Sequence, residues 1–249
     1  MESGRKMEKR LAETQAVILA GGLGTRLRSV VADRPKVMAM VRGQPFLARL
    51  LNQLVRAGIG KVVICTGYLS EKIREVFGNK YRSLRIAYSE ESVPLGTAGA
   101  LRLALPFINS DPVLVMNGDS YCDVSLADFW FEHQRHGAKV SMLLTKIGDT
   151  QRFGRVELGA DGVVVGFREK SGEAGTGIIN AGIYLVQKSL IADLKTDAVI
   201  SLERDVLPKW IGRGLFGFMS EGKFLDIGTP EDYATAESFF AEDLDLRPL

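Results

Sequence analysis

The run Ala16-Val17-Ile18-Leu19-Ala20-Gly21-Gly22-Leu23-Gly24-Thr25-Arg26-Leu27 decides the fold class. Its first five residues are apolar, the length and composition of a strand buried on both faces. Glycines follow at once, at 21, 22 and 24. Glycine tolerates positive φ and close backbone approach, so successive N–H groups can turn toward phosphate oxygens. A helix is expected after the loop, and its N-terminus would add partial positive charge. Arg26 adds a planar, permanently charged donor fork. Two common phosphate loops do not fit. Walker A ends in Gly-Lys-Ser/Thr, whereas this chain has Gly24-Thr25-Arg26. The dinucleotide fingerprint G-x-G-x-x-G starts well at Gly22-Leu23-Gly24 but meets Leu27 where Gly or Ala belongs. A bare Gly-x-Gly reads as a tight turn; with Gly21, Arg26 and a preceding strand, it reads as a phosphate cradle.

Working outward, strands and helices alternate. Gln44–Ala57 has helical spacing and ends at Gly58; Lys61–Thr66 is a strand; Leu69–Phe77 is a helix closed by Gly78. Leu84–Tyr88 is a strand, Thr97–Leu105 a helix stopped by Pro106, Val113–Met116 a strand, and Ser125–His136 a helix closed by Gly137. This order predicts right-handed crossovers and a parallel sheet covered on both faces, hence an α/β fold. Later the pattern changes. Lys139–Thr145 and Ile178–Val186 are strands, Arg155–Leu158 and Val163–Phe167 flank a turn at Gly159–Gly162, and Pro230–Phe240 is a helix capped by Thr229. The second half is therefore expected to be mixed and partly antiparallel.

The chain has 249 residues, 46% apolar and 25% charged, with 32 basic and 30 acidic side chains. These proportions suit a soluble globular protein with one substantial core. The balanced charge and the lack of a basic stripe exclude a nucleic-acid-binding field. No apolar run approaches the ~20 residues of a membrane span, and no secretory signal is visible. Cys65 and Cys122 are too few for a disulfide framework and read as buried thiols, which suits a reducing cytoplasm. His133 and His136 share a helix face but have no third ligand nearby, and read as a solvated face rather than a metal module.

A second motif ends the Val113–Met116 strand at Asn117-Gly118-Asp119. A carboxylate at the C-terminal edge of a parallel sheet faces the ligand crevice. Taken alone, such an Asp reads as a helix cap.

The run LAGGLGTRL, followed by Arg34-Pro35-Lys36, resembles the signature of the sugar nucleotidyltransferases, the pyrophosphorylases that make nucleotide sugars. The resemblance covers residues 14 to 240. It implies a Rossmann-like three-layer α/β/α fold with a mixed, mainly parallel central sheet, and Mg²⁺ as cofactor. It implies an N-terminal extension over residues 1–13 and one domain over 14–249, its nucleotide-binding half about 14–137 and its sugar-binding half about 138–249. Leu19, Ala20, Gly21, Gly22, Gly24, Thr25 and Arg26 would cradle a nucleoside triphosphate. Arg26, Lys36 and Lys170 would neutralise phosphate charge during catalysis. The family usually follows this lysine with Pro or Gln, where the chain has Val37. Glu91, Gly96 and Thr97 fall in the base-reading stretch, and Asn117 and Gly118 would complete the nucleotide site. Asp119 and Asp226, the latter in Phe224-Leu225-Asp226-Ile227-Gly228-Thr229-Pro230, would bind the metal. Gly154, Glu169, Lys170 and Asn180 would meet the sugar.

The implied reaction is attack by a sugar 1-phosphate oxygen on the α-phosphorus of the triphosphate, with pyrophosphate leaving. The nucleophile is already ionised near neutral pH, because a second phosphate pKa is ~6. Glu91 stands where thymidylyl relatives carry Gln. An ionised carboxylate only accepts, which suits the adjacent N1–H and N2 amino donors of guanine. GGLGTRLRSVVADRPKVMAMVRGQPFL, PLGTAGAL, VLVMNGDSYCDV and INAGIYLV are most similar to short family members that guanylylate a heptose 1-phosphate for cell-envelope lipopolysaccharide. The resemblance thus implies GTP and a sugar 1-phosphate as partners, no nucleic acid, no membrane, and a chain compatible with a homo-oligomer. UTP with an amino-sugar phosphate, GTP with mannose 1-phosphate and dTTP with glucose 1-phosphate are the alternatives. A regulatory relative that binds nucleotide sugar without turnover would be expected to lack the loop Arg or a metal Asp; this chain keeps both.

Overall fold

The computed structural model describes residues 10–168, 174–196 and 198–241. In chain order the strands are β1 (Gln15–Leu19), the short β2 (Met40–Val41) and β3 (Gln44–Pro45), β4 (Lys61–Thr66), β5 (Lys80–Tyr81), β6 (Leu84–Glu90), β7 (Val113–Asn117) and β8 (Ser120–Cys122). They continue as β9 (Val140–Ile147), β10 (Arg155–Leu158), β11 (Val164–Arg168), β12 (Gly177–Val186), β13 (Leu215–Ser220) and β14 (Phe224–Asp226). The α-helices are α1 (Phe46–Arg56), α2 (Ser70–Phe77), α3 (Gly96–Leu103), α4 (Leu126–Arg135), α5 (Lys188–Ala192), α6 (Leu207–Trp210) and α7 (Pro230–Phe239).

β1 sits at the centre of a ten-stranded sheet, with β4 and β7 parallel on its two sides and β6 parallel beyond β4. β12 pairs antiparallel with β7, and β9 and β10 pair antiparallel with β12. The parallel centre thus precedes residue 138, and the extension after it is mixed, antiparallel except where β13 pairs parallel with β9. The apolar strands are buried on both faces because side chains alternate along a strand. Ala16 and Ile18 of β1, with Val62 and Ile64 of β4, enter one core with α1, α2, α4 and α7. Val17, with Val63 and Cys65, enters the other with α3, α5 and α6. This gives the three-layer α/β/α architecture expected from the alternation. Both cysteines are buried and unpaired.

The structure departs from expectation in three places. The glycine loop opens into a single 3₁₀ turn, Thr25–Leu27, and not into a helix. One turn aligns too few peptide dipoles to supply a helix N-terminus, which leaves the loop's own N–H groups and Arg26 as its positive groups. His133 is not on a solvated face. It is buried and hydrogen-bonded to Ser141 Oγ at 2.9 Å, while His136 stacks on Phe216. Burial pushes the His133 imidazole down to about 4. Finally, residues 10–13 form a helical turn whose Leu11 is buried in the core.

Candidate active site

β1, β4, β6 and β7 end on the same side of the sheet, and a cavity of about 760 Å³ opens there. Leu19 and Ala20 form one wall, continuing through the glycine loop to Arg26, with Lys36 beside them. Gly24 sits in the left-handed region, φ 58°, where a β-carbon is disfavoured. A β-carbon there would also meet Lys36 Cβ at 3.0 Å, so the loop turns back over the lysine.

Glu91 follows β6 and reaches under the loop. Its Oε2 accepts a hydrogen bond from Leu95 N at 3.0 Å. Its Oε1 lies where a side chain on residue 21 would be, 2.5 Å from an ideal β-carbon. Partial burial raises its pKa, against the lowering effect of the Leu95 N–H. Gly96 and Thr97 begin α3 at the cavity edge.

Asp119 and Asp226 come together through a small ladder. β8 and β14 pair antiparallel, with Asp226 opposite Ser120, and Ile227 N donates to Asp119 O at 2.9 Å. Lys36 Nζ donates to Asp119 Oδ2 at 2.7 Å. Asp226 Oδ1 accepts from Gly228 N at 2.6 Å. Burial and the neighbouring Asp119 charge push the Asp226 carboxyl up to about 6, with Lys36 pulling the other way. Two crowded carboxylates beside one lysine are a donor set short of positive charge. Hard oxygens from one or two carboxylates, completed by substrate phosphates and water, are what Mg²⁺ takes, so the residues fit it. No cluster of three or more His, Cys, Asp or Glu suited to a metal occurs among the described residues.

The cavity therefore gathers most residues singled out in the sequence, including Asn117, Gly154 and Asn180. Gly118 does not line it. Its N–H bonds Leu19 O, and a β-carbon there would meet that carbonyl at 2.6 Å, so it permits close packing of β7 on β1. The Asn180 amide braces a bulge in β12, accepting from Gly182 N at 3.0 Å and donating to Tyr184 OH at 2.6 Å. Glu169 and Lys170 lie outside the described residues. Arg152, Phe153, Ser201, Glu203 and Arg204 also line the cavity without a signal of their own in the sequence, and Phe224, which opens the Asp226 motif, lines it too. Of the first five, Arg152 and Phe153 adjoin Gly154, whereas Ser201, Glu203 and Arg204 adjoin no motif.

Residues 15–243 match the family model described as nucleotidyl transferase. The chain belongs to this family. It is 38% identical over 224 residues to the D-glycero-alpha-D-manno-heptose 1-phosphate guanylyltransferase of Aneurinibacillus thermoaerophilus, covering 90% of this chain and 96% of the relative. A mannose-1-phosphate guanylyltransferase of Mycobacterium tuberculosis is 34% identical, over 89% of this chain and 63% of its own. Among solved structures, HddC from Yersinia pseudotuberculosis complexed with GMP-PN superposes with a TM-score of 0.80 at 35% identity, covering 91% of this chain and 99% of that one. This nucleotidyltransferase is thus an enzyme with the Rossmann-like fold of its family, and its loop, lysine and carboxylate pair lie in one cavity. No helix among the described residues is long and apolar enough to cross a membrane.

Proposed function

We propose that the enzyme transfers GMP from GTP to a heptose 1-phosphate, most simply D-glycero-α-D-manno-heptose 1-phosphate, releasing pyrophosphate and forming a GDP-heptose. Glu91 carries the reading of the base. Its carboxylate lies beneath the glycine loop, Oε1 has no hydrogen-bond partner among the described residues, and Oε2 is fixed by Leu95 N–H. An acceptor-only edge held there suits the two adjacent donors of guanine, whereas uracil and thymine offer one donor between two acceptors. The guanylyltransferase relatives and the GMP-PN complex of HddC support the same base. The heptose rests on the first-named relative; mannose 1-phosphate is the second reading, supported by the mycobacterial one.

The chemistry is one displacement. A non-bridging oxygen of the sugar phosphate bonds to the α-phosphorus of GTP, and the bond from that phosphorus to the oxygen bridging to the β-phosphate breaks. The electron pair leaves on pyrophosphate. No proton need be moved, since the attacking phosphate is already an anion. The protein's task is to bring two anions together and to hold the leaving charge. The loop N–H groups and Arg26 take the triphosphate, and Lys36 reaches the phosphates from beneath the same loop. Asp119 and Asp226 would hold Mg²⁺, which would neutralise phosphate charge when bound. A pyrophosphate-release screen of the common nucleoside triphosphates against heptose, mannose, glucose and amino-sugar 1-phosphates tests this. Signal from GTP with heptose 1-phosphate supports it. Silence from that pair, with another pair active, overturns the substrate.

A further inference from the structure

Glu203 lines the cavity, and nothing in the displacement above uses it. Its carboxylate is held by three neutral donors from three parts of the fold. Oε2 accepts from Thr97 Oγ1 on α3 at 2.8 Å and from Ser201 Oγ at 3.1 Å, and Oε1 accepts from Asn117 Nδ2 at the end of β7 at 3.3 Å. No cation pairs with it among the described residues. The backbone that carries it is built with care. Leu202–Val206 is a π-helical turn, a form often found at functional sites. Ser201 Oγ caps it by accepting from Arg204 N, and Ser201 N donates back to Asp205 Oδ2 at 2.7 Å. Ile200 is pinned to α3 by Ala98 N→Ile200 O and Ile200 N→Leu95 O. That approach is possible because Gly96 and Gly99 have no side chains; a β-carbon at either would meet a backbone oxygen of the segment within 2.8 Å.

An uncompensated carboxylate would repel polyphosphate, so its place is against a part of a substrate that offers donors. A carboxylate has about four lone-pair sites, and three are taken, which leaves room for a hydroxyl. Beside it stands a second acceptor. Asn117 Oδ1 is buried and has no hydrogen-bond partner among the described residues. Buried acceptors without donors are costly, and such an orphan in a substrate cavity points to a group that arrives with the substrate. Two neighbouring acceptors match two neighbouring hydroxyls.

We propose that Glu203 and Asn117 form a subsite that recognises a vicinal diol of a substrate, Glu203 binding one hydroxyl and Asn117 Oδ1 the other. The proposal rests on the reading of the cavity as a nucleotide-sugar-forming site. Both substrates carry such a diol: the ribose of the triphosphate and the glycosyl ring of the sugar 1-phosphate. The test is a steady-state comparison of the full chain with Glu203→Gln and Glu203→Asp, run on whichever pair the wild type turns over. A wrong choice of substrate and a wrong assignment of Glu203 therefore give different results. Each protein is assayed with the parent pair, with 2′-deoxy and 3′-deoxy triphosphates, and with sugar 1-phosphates lacking one hydroxyl at a time. A hydrogen bond to a charged acceptor predicts that Glu203→Gln raises the KM of one substrate roughly 10- to 100-fold and leaves the other within about threefold. Deleting the matching hydroxyl should cost the wild type a similar factor and cost the variant little more. A penalty confined to ribose analogues places the diol on the nucleotide; one confined to glycosyl analogues places it on the sugar. If Glu203→Gln fails to fold, Glu203→Asp keeps the charge, withdraws it by one methylene, and should show the same selective KM rise. Equal changes in both KM values, or full retention of every deoxy penalty in a folded variant, overturns the proposal.

Discussion

Replacing Gly21 by alanine separates a base-reading role for Glu91 from an incidental one. An ideal β-carbon at residue 21 stands 2.5 Å from Glu91 Oε1 and 3.2 Å from its carboxyl carbon. The first distance is about 1 Å short of ordinary contact. The backbone at Gly21 is not in the positive-φ region, so alanine brings no backbone strain. The group in the way is the end of a flexible side chain, so the carboxylate yields rather than the loop. A shift of about 1 Å takes the 3.0 Å bond from Leu95 N beyond hydrogen-bond range. Losing a hydrogen bond to a charged group costs about 1.5–3 kcal/mol. If that geometry presents the carboxylate to guanine, kcat/KM for GTP falls roughly 10- to 150-fold, since 1.4 kcal/mol is a factor of ten. Folding stability should fall by about 1–3 kcal/mol, the lost Leu95 N–H bond outweighing the gain of up to about 1 kcal/mol from restricting the unfolded chain. The assay is a double-mutant cycle: kcat/KM for GTP in the wild type, Gly21→Ala, Glu91→Ala and the double variant. With Glu91 already truncated, Gly21→Ala should change little. A loss just as large in the Glu91→Ala background would refute the reasoning, since the clash partner is then gone.

Other perturbations follow from the same geometry. Asp226→Asn should lower Mg²⁺-dependent turnover by orders of magnitude without lowering the melting temperature in metal-free buffer, because the carboxylate it removes is held unfavourably by burial and by Asp119; a collapsed fold with turnover loss merely in proportion would contradict this. His133 makes stability fall with acid. Its folded pKa of about 4 lies below the ordinary imidazole value of 6.5, so its contribution is complete above pH 6.5 and is lost as pH falls toward 4. Between pH 7 and pH 5 this should amount to about 2 kcal/mol of unfolding free energy. It is read as the difference in pH slope between wild type and His133→Gln, which cancels the opposite slope of Asp226; identical slopes would remove His133 as the source. Gly96→Ala should cost at least about 2 kcal/mol in urea unfolding, combining left-handed strain at φ 73° with a β-carbon 2.5 Å from Ile200 O. A change within about 0.5 kcal/mol would mean that the segment before Glu203 can slide.

What could be read in the sequence depended on how far each signal was local. β1 and the loop were legible because a strand buried on both faces is a continuous apolar run, and the turn after it needs glycine. Asp119 was legible because it ends a strand of the same kind. The 3₁₀ turn after the loop was not, since three residues hold too little periodicity to tell a turn from a helix. β8 and β14 are three residues each, and they exist through their pairing with one another, which no local pattern reports. Glu203 sits on a turn defined by contacts with α3 and β7, far away in the chain, so no local pattern marks its carboxylate. The Asn180 amide looked like a sugar contact, yet its residue also braces the β12 bulge, a use visible only once Gly182 and Tyr184 are in place. His133 followed the helical spacing of its neighbours and was misplaced because Ser141, its partner, lies on the next strand.

The pairing of β8 with β14 makes the enzyme a judge of its own completeness. The glycine loop and Asp119 follow the early strands β1 and β7, whereas Asp226 comes only with β14. A growing polypeptide would own a place for triphosphate well before it owned both carboxylates. Until β14 docks on β8, the two carboxylates proposed for the metal would not stand together. Turnover would then wait on the docking of β14.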